Sequence, residues 1–314
     1  MSADAPDARS GDGARPPSRH PIGQPTPHSG EPGTQAVNNG PQTAPIRFVD
    51  MHCHLDRMAN AAQVARDACE RSMALFCTTV TPDDARAAQA RFAGHRHVRV
   101  GIGLHPWWVE HGTHGECAAE RTAALAATSR CIGEVGLDFS PAHIQTRAEQ
   151  LAAFELICQA CASHAIPGRI MSIHAVHATA EALDTLERYG LHAQATCIFH
   201  WFSGTSDDLA RARRLGCRFS VNERMLATRR GREYARQMPL DRLLLETDAP
   251  ERLGTSGSAQ ALEASLARTL AELARIRGVD ADELGTRIAR ASLELLGMPS
   301  GAIGGRASLP HIPQ

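Results

Sequence analysis

Two histidines one residue apart, His52 and His54 in FVDMHCHLD, close an apolar, β-branched run. Side chains alternate faces along a strand, so these imidazoles share a face while Cys53 points the other way. That relation suits the binding of one metal ion. Similar polar residues end other apolar runs: His105 in GLHP, Glu134 in GEVGLD, His174 in SIHA, His200 in IFHWF and Asp248 in ETDA. Any one of them alone reads as an ordinary hydrogen-bonding residue at a strand end. Four histidines (52, 54, 174 and 200) and two carboxylates on one rim read differently. Burying so many unpaired polar groups is costly, and a metal satisfies them together. Nitrogen and oxygen donors without cysteine suit Zn²⁺, Mn²⁺, Fe²⁺ or Mg²⁺. Six ligands exceed what one tetrahedral ion needs, which points to two ions about 3.5–4 Å apart. A negative bridge is then required, and Glu134 is the candidate, because the chain has no lysine to carbamylate.

The elements that must position these residues follow from the same runs. IRFVDMHCH, ALFCTTV, VRVGIGLHP, CIGEVGLD, RIMSIHA, QATCIFHWF, RFSVN and LLLETDA make eight candidate strands. Helix-like segments such as NAAQVARDACERS, PDDARAAQARFAG and TAEALDTLERYG separate them, with Asn60, Asp83, Thr179 and Ser206 as expected caps. Eight strand–helix alternations over about 250 residues predict an α/β fold of the (β/α)₈ TIM-barrel type, whose chemistry sits at the carboxyl ends of the strands. A doubly wound open sheet is the runner-up, but it calls for a glycine-rich loop of the G-x-G-x-x-G kind, and none follows any strand. Residues 1–44 are rich in Pro, Gly, Ser and Asp and nearly devoid of large apolar side chains, so disorder is expected there and again over 299–314. The catalytic domain is expected over 45–298.

Composition narrows the classes further. A formal net charge of −1 gives no global footprint for nucleic acid or a membrane surface. The absence of lysine excludes Schiff-base chemistry and a Walker-type phosphate site. Nine cysteines with a single C-x-x-C (Cys158 and Cys161) form neither a zinc site nor a disulfide framework, which suits the reducing cytoplasm. No run has the length of a transmembrane helix and no signal-peptide core opens the chain, so no membrane association is expected.

VDMHCHLD, GLHP, GEVGLDF, HWFSG and ETDAP resemble, in order, the motifs of the TatD family of metal-dependent deoxyribonucleases, within the amidohydrolase-like barrels. The resemblance covers roughly residues 46–298. It implies that His52, His54, Glu134 and Asp248 hold one ion, and that Glu134, His174 and His200 hold the other. SIH, FHWFSG and CRFSVNERML further resemble QatD, the TatD-like component of the four-protein Qat anti-phage system, which would make the other Qat proteins its partners. Three departures stand out. Val176 occupies a position where the family commonly has arginine, Ser292 replaces a common asparagine, and ERLGTSGS follows ETDAP in place of the usual segment. All three bear on substrate contacts rather than on the metal groups.

Two divalent ions (Mg, Mn or Zn) would activate water and clamp phosphate oxygens in an in-line displacement. Asp248 would orient and deprotonate the water, with Glu134 as the second catalytic carboxylate and Glu246 supporting a ligand histidine. His105 would meet the substrate phosphate, and His177 would stand in for the missing arginine. Trp107, followed by Trp108, could stack on a base of single-stranded DNA or a DNA end, although packing against the neighbouring loop explains either ring as well. Between 209 and 236 nine arginines face only Glu223 and Glu233, so Arg229, Arg230 and Arg232 in ATRRGRE are candidates for tracking a phosphate backbone, against the simpler reading of a solvated helix face. Three functional classes stay open on the sequence: a nuclease, a hydrolase of amide or ester bonds, and a subunit completed by partners.

Overall fold

Each of the eight apolar runs forms a strand in the computed structural model, which describes residues 45–299. The segment 1–44, and the tail expected over 299–314 apart from its first residue, lie outside the described residues. The strands are β1 (Phe48–Cys53), β2 (Met73–Thr78), β3 (Val98–Leu104), β4 (Cys131–Asp138), β5 (Ile170–Val176), β6 (Thr196–His200), β7 (Arg218–Val221) and β8 (Leu243–Leu245). They lie in sequence order, each parallel to the next. A doubly wound sheet would reverse its strand order, so that alternative is excluded.

The chain just beyond β8 closes the barrel onto β1. Asp248 N–H donates to His52 O at 2.9 Å, and His54 N–H donates to Ala249 O at 2.8 Å. Beneath them the buried Asp50 carboxylate accepts Thr247 N–H at 3.0 Å and the Thr247 hydroxyl at 2.6 Å. Two candidate ligand positions, 52 and 248, are thus fixed by the seam itself. Val49, Met51, Ala74, Phe76, Ile170, Ile198 and Leu244 come from five strands and pack into one cluster with Leu293, Leu296 and Met298. Strands from opposite sides of a barrel can meet only inside it, so these residues plug the interior.

Arg169, immediately before β5, is fully buried at the opposite, amino-terminal end. Its Nε donates to Ser129 O at 3.0 Å, and Nη1 donates to Cys161 O and His164 O at 2.5 and 2.8 Å. Nη2 donates to Ala126 O and Ala127 O at 3.0 and 3.2 Å. One guanidinium thereby caps the carboxyl ends of two helices, Gly112–Ala127 and Arg147–Ser163.

Helix starts differ from the expected caps. Thr81 and Thr205, rather than Asp83 and Ser206, accept the orphan amides, and Thr179 lies inside its helix. An N-cap needs extended backbone, and Thr81 and Thr205 are the residues that have it. Asn60 stands at the expected position, but its amide bridges to Gly257 N–H and C=O at 2.7 and 2.9 Å.

Candidate metal centre

The six candidate ligands and His105 meet at the carboxyl end of the barrel around one buried carboxylate. Glu134 is 1% exposed, and its two oxygens face different groups. Oε2 lies 3.1 Å from His52 Nε2 and 3.3 Å from His54 Nε2. Oε1 lies 2.8 Å from both His174 Nδ1 and His200 Nε2, and 3.3 Å from His105 Nε2. Asp248 completes the first group, with Oδ1 3.5 Å from His54 Nε2 and 3.8 Å from His52 Nε2.

Backbone geometry delivers Glu134 to this point. Its N–H donates to Thr79 O at 2.8 Å, and Thr79 N–H donates to Gly133 O at 3.0 Å, so the end of β2 reaches past β3 to β4. Gly103 permits this crossing, since a Cβ there would lie 1.7 Å from Thr79 O. Cys53, between the paired histidines, turns its thiol to Phe76 O on the apolar side.

Neighbours orient each ring. Thr78 O can only accept, so His54 Nδ1 donates to it at 2.8 Å and Nε2 turns to the carboxylates. His52 Nδ1 pairs with Ser172 Oγ at 2.7 Å. His174 Nε2 lies 3.3 Å from Asp138 Oδ2, which leaves Nδ1 toward Glu134. His105 behaves differently. Its Nδ1 accepts Trp107 N–H at 3.1 Å, so the neutral ring carries its proton on Nε2 and is a donor rather than a ligand. Burial lowers the His105 pKa to about 4, which keeps it neutral near pH 7.

The other charges push the opposite way. Burial alone would raise the Glu134 pKa and lower that of His200, but the surrounding imidazoles of His105, His200 and His52 hold Glu134 well below its ordinary value, and the Glu134 carboxylate holds His200 well above its own. Burial likewise opposes the charging of His54, yet contacts with Asp248 and Glu134 raise it to about 10. Burial and the stacked His200 ring, 4.0 Å between centroids, hold His52 down. His174 Nδ1 and His200 Nε2 sit 3.1 Å apart, both facing Oε1, and two ring nitrogens in that relation require a proton or a cation between them. His52, His54 and Asp248 offer one set of atoms spaced to hold a metal ion, and Glu134, His174 and His105 another. The tautomer of His105 argues against it in the second set, and His200 offers the replacement nitrogen. The donor set therefore fits divalent ions.

Four supporting residues lie outside the expected ligand set. Asp138, within the GEVGLD run, accepts His174 Nε2–H and also Trp107 Nε1–H at 2.6 Å. Burial would raise its pKa, but these bonds and those from Ser140 outweigh that and hold it below the usual carboxylate range. Glu246, expected to support a ligand histidine, accepts Trp201 N–H and Asn222 Nδ2–H at 3.1 and 2.8 Å and lies 3.8 Å from His200 Nδ1. Ser172 and Asn222 complete the group. Glu246 was expected from its place two residues before Asp248, whereas only their contacts reveal the roles of Asp138, Ser172 and Asn222.

A cavity of about 930 Å³ opens above the centre, lined among others by His105, Trp107, His177, Trp201, Arg224 and Arg230. Trp107 is 52% exposed and stacks on His143 with centroids 4.8 Å apart. His177 is exposed on the wall, in left-handed backbone just past Val176. The arginine window divides, which revises the expectation for ATRRGRE. Arg230 reaches the cavity, but its guanidinium is engaged by Gly204 O and the Tyr234 hydroxyl. Arg232 donates to Leu226 O and Ala227 O at 2.8 and 2.9 Å, capping the helix Glu223–Ala227, and Arg229 is not among the lining residues. In the helix Arg229–Gln237, positions 229 and 232 share a face, whereas 230 lies with 234 on another.

The family model for TatD related DNase matches residues 49–297. The chain belongs to the TatD family. Among its relatives is the 3'-5' ssDNA/RNA exonuclease TatD of Pantoea vagans, 31% identical over 58% of this chain and 74% of that protein. The protein of the same description from Cronobacter turicensis is 33% identical over 59% of this chain and 69% of its own length. The YJJV TatD homologue of Escherichia coli superposes with a TM-score of 0.68 at 21% identity, covering 81% of this chain and 99% of that structure. A TatD-family hydrolase from Entamoeba histolytica gives 0.63 at 14%, over 79% and 97%. Both likenesses establish the barrel fold. TatD membership makes the chain a metal-dependent hydrolase of the nuclease kind. Among the described residues, no helix is long and apolar enough to cross a membrane.

Proposed function

We propose that the chain hydrolyses phosphodiester bonds of single-stranded DNA or DNA ends with two divalent ions (Mg, Mn or Zn). The observation that carries this reading is the division of Glu134, one oxygen toward His52 and His54 and the other toward His174 and His200. His52, His54, Glu134 Oε2 and Asp248 would hold one ion, and Glu134 Oε1, His174 and His200 the other. When bound, such a pair supplies Lewis acidity toward water and a phosphoryl oxygen.

The protein's own groups do the rest. Asp248 orients the attacking water and takes its proton, and its carboxylate stays ionised because the neighbouring imidazoles outweigh the cost of burial. His105, neutral with a proton on Nε2, donates to a phosphate oxygen as charge builds there. Trp107, fixed by its bond to Asp138, offers an exposed ring on which an unpaired base stacks. His177 and Arg230 line the approach. The relatives described as exonucleases on single-stranded DNA and RNA support this substrate class.

The resemblance of SIH, FHWFSG and CRFSVNERML to QatD extends the proposal to a role in anti-phage defence with Qat partner proteins, in the cytoplasm, where nine free cysteines persist. The direct test of the chemistry is end-labelled single-stranded DNA with Mg²⁺ or Mn²⁺. Wild-type protein shortens it and the Glu134→Ala variant does not. Equal cleavage by both, or cleavage in excess EDTA, contradicts the proposal.

A further inference from the structure

Two arginines, Arg224 and Arg230, line the cavity, and of these Arg224 contacts a candidate ligand, from outside the strand-end motifs. Arg224 stands on the helix Glu223–Ala227, which is fastened on two sides. Asn222 caps it through Met225 N–H at 2.8 Å while its amide reaches down to Glu246. Glu223 binds Ser265 Oγ and Arg268 Nε at 2.8 and 2.5 Å, tying the helix to Ala259–Arg277. Arg224 is therefore projected over the centre in a fixed direction.

Its guanidinium lies 4.7 Å above the Trp201 ring, and Nη2 donates to Asp248 Oδ2 and Asp248 O at 3.2 and 3.3 Å. That carboxylate is divided in its turn: Oδ1 faces His52 and His54, and Oδ2 faces the arginine. Among the described residues, Nε and Nη1 of Arg224 have no hydrogen-bond partner. The other lining arginine, Arg230, turns Nε and Nη2 to the Tyr234 hydroxyl and Gly204 O rather than to a candidate ligand. Val176, at the end of β5, offers no charge, and the chain has no lysine.

We infer that Arg224 is the phosphate clamp of this site: Nη2 keeps Asp248 in place while Nε and Nη1 grip a non-bridging oxygen of the substrate phosphodiester. The inference rests on the phosphodiester reading above and names its specificity-determining cation. A guanidinium suits the task because its planar fork serves two acceptors at once, and the Trp201 ring beneath holds that plane.

The test is a double-mutant cycle between side chain and phosphate. Binding of a fluorescein-labelled oligothymidylate is followed by anisotropy, with Ca²⁺ replacing the turnover ion. The two ligands are the native strand and one with an uncharged methylphosphonate at its terminal linkage. Wild-type protein is expected to bind the methylphosphonate strand about tenfold more weakly, as befits a lost charged hydrogen bond. Arg224→Gln should bind the native strand about tenfold more weakly and show a clearly smaller methylphosphonate penalty than the wild type, the remainder being the share of the ions and His105. Arg224→Lys should recover only part, since it restores charge without the fork. Additive penalties, in a wild-type protein that cleaves the native strand, overturn the clamp alone. Loss of bound divalent ion from Arg224→Gln, measured by mass spectrometry of the metal, also overturns it, because the arginine would then serve only to hold Asp248. A wild-type protein that neither binds nor cleaves the strand overturns the phosphodiester reading itself.

Discussion

At the amino end of the barrel Arg169 is buried among carbonyls, and at the carboxyl end Glu134 is buried among imidazoles. Both are charged and almost fully hidden. Arg169 has five N–H groups, and Ser129, Cys161, His164, Ala126 and Ala127 provide five carbonyl acceptors for them. That charge is satisfied by the chain alone. Glu134 has two oxygens for five ring nitrogens, two of which, on His174 and His200, also face each other. Here the chain provides more ligand atoms than its own protons can satisfy. The difference separates a structural charge from a functional one: equal burial, but only one of the two sites needs something from outside.

The largest effect expected is on activity at the mouth. Glu134→Gln should reduce hydrolysis by at least about a thousandfold, because it disrupts both groups of ligands at once. Thermal unfolding should shift little, since the rim is not the packed core. A variant that unfolds outright would show that the mouth, like the base, is structural.

Arg169→Met should do the reverse. Leaving the carbonyls of two helix ends unpaired is expected to cost about 3–5 kcal/mol of stability, read from the urea midpoint, while turnover per folded molecule is unchanged. Falling turnover in the folded fraction would mean that the two ends are coupled.

Metal addition sharpens the contrast. Mn²⁺ at about a hundred times its dissociation constant should stabilise the wild-type protein by about 2.7 kcal/mol for each ion bound, about 5.4 kcal/mol for two, and Arg169→Met by the same increment, because distant sites add. Glu134→Gln should gain far less. Unequal increments in the wild type and Arg169→Met would contradict the independence of the two regions.

The smallest effect is expected at Arg232. As a cap on the helix Glu223–Ala227, its replacement by alanine should leave the salt dependence of DNA binding unchanged. A backbone-tracking arginine would instead lower the slope of log K against log salt by about 0.7 on single strands.

What the sequence made legible follows the same division. The eight strands could be read because each is a dense apolar run, and the meeting of His52, His54, Glu134, His174, His200 and Asp248 followed from their shared position at strand ends. Arg169 was not legible as a keystone. Its partners are backbone carbonyls from two helices, and carbonyls leave no trace in residue types. Asp138 and Ser172 escaped for a related reason, since only the ring directions of His174 and His52 single them out. Within the arginine window, charge was visible but direction was not. Helical phase turns Arg232 toward carbonyls, and the short helix before it turns Arg224 toward Asp248. The helix starts shifted to Thr81 and Thr205 because backbone conformation, which residue type only biases, selects the cap.

The central claim is that Glu134 joins two ions. The measurement that tests it most directly is electron paramagnetic resonance of the protein loaded with two equivalents of Mn²⁺. The account predicts the broadened signal of an exchange-coupled pair, replaced in Glu134→Gln by the six-line signal of isolated Mn²⁺. An isolated six-line signal from the wild-type protein at full loading, or a coupled signal that persists in Glu134→Gln, would contradict it.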